Sequence, residues 1–125
     1  MSNECIPLYT PGAVVTAELT ADVKGKTFVA LTGPMAGGLP KVATATAAGD
    51  KWGVAVRDGK SGGRVPVIRA KGVILPVVAG AAIAALAEVE IGAGGKVVTA
   101  TSGVKVGRAL DAATAADKDV FIELY

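Results

Sequence analysis

From Ala13 onward, apolar and polar positions alternate with period two. Val15, Ala17 and Leu19 fall on one side and Val14, Thr16 and Glu18 on the other, as in a strand with one buried face. Asp22 to Lys26 reads as a polar turn around Gly25, and Thr27 to Leu31 as a second strand rich in β-formers. The glycines and prolines of Thr32 to Pro40 predict a loop. Strands follow at Lys41 to Thr46 and Trp52 to Val56, then a polar glycine-rich stretch from Arg57 to Gly63. Arg64 to Arg69 and Lys71 to Leu75 are strand-like, with Pro66 and Pro76 tolerable only at edges or bulges. Alanine-rich Gly80 to Leu86 is the one short helix predicted. In Glu88 to Ile91 the alternation turns Val89 and Ile91 inward and Glu88 and Glu90 outward. Gly92 to Gly95 is then a hairpin loop leading to Lys96 to Thr101. Val104 to Leu110 is a further strand, Ala112 to Lys118 a loop, and Asp119 to Tyr125 the last strand, with Val120, Ile122 and Leu124 on one face. The sum is a mainly β chain, a compact barrel-like domain over residues 13–125 with one short helix. No repeat of fixed period and no internal domain boundary is legible.

Residues 1–12 form an extended N-terminal arm, because Pro7 and Pro11 forbid helix. Its apolar residues Ile6, Leu8 and Tyr9 call for a docking place, on the arm's own domain or on a neighbour. Of 125 residues 17 are glycine, and aromatics make up 4%. Small side chains bury little area each, so association with a partner is expected to add stability. The absence of histidine and the single Cys5 exclude histidine triads and disulfide scaffolds and leave little for zinc. The N-terminus lacks a secretory pattern, and the longest apolar run, Val73 to Ala87, is broken by Pro76 and Gly80, so no membrane span is predicted.

No constellation of enzymatic residues emerges. Gly25-Lys26-Thr27 resembles the tail of a phosphate loop, but Thr20 stands where the motif needs glycine and a strand follows instead of a helix. Gly92 to Lys96 lacks the dinucleotide spacing. Glu88 and Glu90 have no nucleophile beside them, and Asp111, Asp117 and Asp119 are turn residues before they are calcium ligands. No cofactor or metal is implied. The steepest charge asymmetry is Arg57, Lys60, Arg64, Arg69 and Lys71, opposed only by Asp58. It reads as a solvated face or a contact with an acidic protein surface, since the stretch has no aromatics for stacking nucleic acid. Trp52 reads as a core anchor.

Several segments resemble the head-decoration, or capsid cement, proteins of tailed phages, of the small alanine- and glycine-rich type. They are Cys5 to Gly12, Trp52 to Val56, Gly62 to Arg69, Gly72 to Val77, Ala79 to Ala84, Glu88 to Lys96 and Val106 to Ala113, in shared order along nearly the whole chain. The resemblance implies a non-enzymatic virion protein with a tulip-like β fold, made in the host cytoplasm. It would bind the major capsid protein on the outer surface of the head, as homotrimers at three-fold and quasi-three-fold positions, and brace the shell against internal DNA pressure. The expected shell contacts are Ile6, Pro7, Leu8 and Tyr9 of the arm, with Arg57 and Arg64. The expected trimer contact is Val73, Ile74, Leu75 and Pro76. The competing reading is a nucleotide- or nucleic-acid-binding accessory of recombination, which needs Lys26 or the Arg57 to Lys71 stretch to meet phosphate.

Overall fold

A computed structural model describes Asn3, Cys5 and residues 12–125. The arm contacts expected at Ile6, Pro7, Leu8 and Tyr9 lie outside the described residues. The architecture is nearly all β, with 49% of the described residues in strands and 3% in helix. Strands β1 (Val14–Leu19), β2 (Phe28–Ala36), β3 (Leu39–Thr44), β4 (Gly53–Ala55) and β5 (Arg64–Ile68) close into a barrel in the order β1-β3-β2-β4-β5. Its interior is filled by Ala17, Leu19, Val23, Val29, Val42, Ala55, Val65 and Val67, the inward positions of the period-two pattern. Strands β6 (Ile74–Val78), β7 (Glu88–Ile91), β8 (Val97–Thr99), β9 (Lys105–Ala109) and β10 (Asp119–Leu124) form a second sheet, in the order β6-β10-β9-β7-β8. Ala79, just past β6, bridges in parallel to Val97 of β8, so this sheet also curls back on itself. One core joins the two: Phe28, Ala45 and Val54 of the first half pack with Leu75, Val77, Val89, Ile91 and Ile122 of the second.

The two halves repeat one topology. In each, the first strand pairs antiparallel with the fifth and parallel with the third, the second with the third and fourth, and the fourth with the fifth. The buried positions Val15, Ala17, Leu19 and Val23 recur at constant spacing as Leu75, Val77, Ala79 and Ile83. The connections match atom for atom. Val23 and Gly59 exchange backbone hydrogen bonds, as do Ile83 and Ala113; Lys26 N donates to Ala55 O, and Leu86 N to Ala109 O. Positive-φ turns directly before strands also correspond, among them Lys26 (62°) with Leu86 (70°) and Gly62 (83°) with Asp117 (64°). The chain thus contains an internal structural repeat, although not one of fixed period. The repeat lies in hydrogen bonding and burial, and the longer hairpin between β2 and β3 shifts the spacing midway.

Three local expectations fail. Gly80 to Leu86 is not a helix, because Ile83 pairs with Ala113 across the barrel mouth and Leu86 adopts a positive φ. Among the described residues the helical segment is instead a 3-10 turn, Ala93–Gly95, inside the expected hairpin loop. The loop expected at Thr32 to Pro40 is mostly strand, for β2 runs on to Ala36 and turns at Gly37 and Gly38, both with positive φ. Glu90 is not solvent-facing: it alternates with the core residues Val89 and Ile91 as expected, but the loop from Thr101 to Gly103 folds over its face and leaves it 5% exposed. Pro76 does lie on an outermost strand of its sheet, as its missing N–H requires.

The buried Glu90 carboxylate is satisfied by the loop after β8. It accepts from Thr101 N, from Thr101 Oγ1 at 2.9 Å and from Gly103 N at 3.4 Å. Gly103 in turn lies against Ala48 of the first half, so this carboxylate pins a second-half loop that packs on the first half. The Thr101 backbone bond above all holds the Glu90 pKa below its ordinary 4.5. A lowered folded pKa contributes stability that is present above pH 4.5 and is lost as pH falls through the depressed value. Glu90→Gln is therefore expected to lower the melting temperature at neutral pH and to match the wild type in strong acid. An undiminished gap in acid would show that the charge is not what holds the loop.

Candidate interaction surfaces

Arg57, Lys60 and Arg64 come together at one end of the first barrel. Arg57 Nη2 donates to Arg64 O at 3.1 Å, and Lys60 Nζ sits 3.6 Å from Asp22. All three cations are exposed. Backbone N–H groups of the neighbouring loops bind the acids beside them: Ser61 N donates to Asp22 and Gly25 N to Asp58, each at 2.8 Å. The Ser61 bond is the main cause of a lowered pKa at Asp22. Arg69 and Lys71 do not join this group. Arg69 sits beyond the far end of β5, its guanidinium 4.3 Å from the ring centre of Trp52 and its Nε bonded to Trp52 O at 2.9 Å. Trp52 itself is half-buried against the first barrel's core.

The sequence missed which cations do join. Lys24, Lys26 and Lys96 gather with Arg57, Asp58 and Asp119 around an open cleft of about 570 Å³ between the halves. Most are already engaged. Lys26 Nζ meets Asp119 at 2.7 Å, and Lys96 Nζ meets Asp117 at 2.6 Å. The phosphate-loop look-alike has its donors occupied as well: Gly25 N by Asp58, Lys26 N by Ala55 O, and Thr27 Oγ1 by Lys24 O at 2.7 Å. That arrangement builds a barrel connection instead of a phosphate cradle.

The carboxylates are distributed in the same way. Glu88 accepts from Tyr125 Oη at 2.6 Å and pairs with Lys105 at 3.2 Å, and the tyrosine bond chiefly lowers its pKa. Asp111 accepts from Phe121 N at 2.9 Å. Among the described residues no three potential ligands cluster for a metal ion. No described helix is long and apolar enough to cross a membrane.

What stands out instead is exposed apolar surface. On the outer face of the second sheet, Pro76 lies directly across from Phe121, and Leu110 N bonds Phe121 O on the other side. Ile74, two residues along β6, is 59% exposed and Phe121 48%. Of the four residues singled out for self-contact, Ile74 is thus the most open, Val73 and Pro76 are half-buried, and Leu75 is in the core. Phe121 and Leu110 escaped notice because Phe121 falls on the polar phase of the last strand, with Asp119 and Glu123, and Leu110 lies next to Asp111, so only the register assembles them. The second apolar surface is the β2–β3 hairpin. Beyond Val29, β2 pairs only with β3, so the hairpin projects, uncharged from Thr27 to Pro40 and carrying exposed Leu31 and Met35.

A family model described as phage cement protein matches residues 9–124. None of the curated proteins matches the chain. Among solved structures, the chain is similar to the crystal structure of the head fiber gp8.5 N base of bacteriophage phi29. The TM-score is 0.76 and the identity 19%, over 90% of this chain and 92% of that one. At that identity the likeness shows the fold.

Proposed function

Because the chain belongs to the phage cement protein family, a family of structural proteins of the phage head, we propose that it binds the outer surface of an assembled head and braces its shell against the pressure of packed DNA. The observation that carries this reading is the family match across nearly the full sequence. The exposed apolar residues support it, since a protein that works by burying shared surface needs such patches and no reactive centre. On this reading the protein is not an enzyme, needs no cofactor and is made in the host cytoplasm before it reaches the virion.

An arm of residues 1–12 on a domain of residues 13–125 would supply the shell contact through Ile6, Pro7, Leu8 and Tyr9. Arg57 and Arg64 would add a second contact with an acidic face of the major capsid protein. Three copies at three-fold and quasi-three-fold positions would touch one another around Val73, Ile74 and Pro76, with Phe121 and Leu110 extending that surface. Leu75 would support the contact from within the core. Weak contacts multiply when a trimer engages several sites at once.

The test is co-sedimentation of the purified protein with expanded, undecorated heads, beside light scattering on the free protein. Saturable binding in multiples of three chains is expected. A protein that stays in the supernatant at every concentration sinks the proposal. If binding occurs but Arg57→Ala with Arg64→Ala leaves its salt dependence unchanged, only the basic contact is lost.

A further inference from the structure

The repeated topology allows the two barrels to be compared position by position, and one comparison bears on assembly. On the outer wall of the first barrel, Phe28, Val54, Ile68 and Val14 stand side by side across β2, β4, β5 and β1. This wall is the docking face within the chain: Phe28 and Val54 are buried in the core shared with the second half, with Ile68 packed against it. By the same register, the row in the second barrel is Glu88, Arg108, Glu123 and Ile74. Three charged residues occupy the places of phenylalanine, valine and isoleucine. Arg108 and Glu123 are exposed, while Glu88 is held by Tyr125 and Lys105.

The receiving side shows the complementary difference. Ile91, opposite Val97, is fully buried, and Ala48 N of the first half donates to its carbonyl at 2.8 Å. Its counterpart by register is Leu31, opposite Val42, which is 55% exposed. Each chain therefore leaves an exposed leucine on its first barrel where the second has a buried isoleucine, and carries on its second a wall of the same register that is charged. An apolar wall there could dock on the first barrel of another copy, as the first wall docks on the second barrel within the chain. Such a head-to-tail contact does not close on itself and grows into filaments. Solenoids of stacked repeats end the same kind of growth with a polar outer face, because stripping water from charges opposes docking even where they face one another, as Arg108 does between Glu88 and Glu123.

We propose that Glu88, Arg108 and Glu123 form an assembly stop, keeping the second barrel's wall off the first barrel of another copy and ending the stack at two barrels per chain. The proposal stands independently of head binding. It is tested by giving the second wall the residues of the first, E88F/R108V/E123I, and following mass by light scattering and sedimentation velocity over a wide concentration range. The wild type is expected to hold a limiting mass. The variant's mass is expected to climb without a plateau, and adding Leu31→Lys should return it to the wild-type value. A natively folded triple variant at wild-type mass overturns the proposal, and so does growth that Leu31→Lys leaves untouched. Should the triple replacement not fold, Arg108→Val is compared with the charge-keeping Arg108→Lys. Only the valine is expected to raise the mass at high concentration, and equal masses overturn the stop.

Discussion

Phe28→Ala is expected to be the most damaging single truncation in the described fold, costing about 3–5 kcal/mol of unfolding free energy. Phe28 is the largest fully buried side chain, in a chain with two phenylalanines, two tyrosines and one tryptophan. It stands on the first barrel's outer wall and packs into the core shared with the second, so its loss opens a cavity where the halves meet. Neighbours can collapse little into that space. A Cβ added at Gly95 would lie 2.7 Å from the Phe28 carbonyl oxygen, which shows how closely the turn before β8 already approaches. For a chain of this size the cost corresponds to a fall in melting temperature of roughly 10 °C or more. Leu31→Ala serves as the comparison, because Leu31 is exposed on the hairpin and its truncation is expected to cost about 0.5 kcal/mol or less. Chemical denaturation of both variants decides the matter. Equal losses would mean that Phe28 does not join the barrels.

The same residues explain how much of the fold the sequence carried. Strand positions were legible wherever one face meets the core, as in Val15, Ala17 and Leu19 or Val120, Ile122 and Leu124, because burial on one side imposes period two. The alanine run at Gly80 to Leu86 misled because intrinsic helix propensity is weak beside a paired backbone. Ile83 gains two hydrogen bonds with Ala113 and a place in the core. Glu90 misled because alternation fixes only which face a residue takes, whereas the loop from Thr101 to Gly103 that covers that face is placed by tertiary structure. The duplication was hidden because the halves share geometry, while their side chains diverged to opposite tasks: Phe28 answers to Glu88, Val54 to Arg108 and Lys26 to Leu86. Of the candidate surfaces, the basic group was legible only in part. Residues adjacent in sequence, such as Arg64 and Arg69, sit at opposite ends of a strand, whereas Lys24, Lys26 and Lys96 arrive from elsewhere.

Deleting residues 1–12 is expected to leave the β domain intact and to strip its hold on heads. The barrel does not need the segment for closure: the β1 ladder with β5 begins at the Val14–Ile68 pair, and the bond from Arg69 N to Ala13 O, 2.8 Å, is retained. The melting temperature should therefore stay close to that of the full chain. Binding is a different matter under the proposed function. Ile6, Leu8 and Tyr9 would each bury an apolar side chain on the shell, and even one such side chain contributes about 1.5–3 kcal/mol. Two prolines limit the entropy lost when the segment settles. Losing these contacts in each of three copies, where engagement of one raises the effective concentration of the others, predicts a drop in affinity of at least about a hundredfold. Titration of expanded heads with full-length and truncated protein measures it directly. Should the truncated protein decorate heads with undiminished affinity, the shell contact must be sought elsewhere, and the exposed Leu31 and Met35 of the projecting hairpin become the first residues to change.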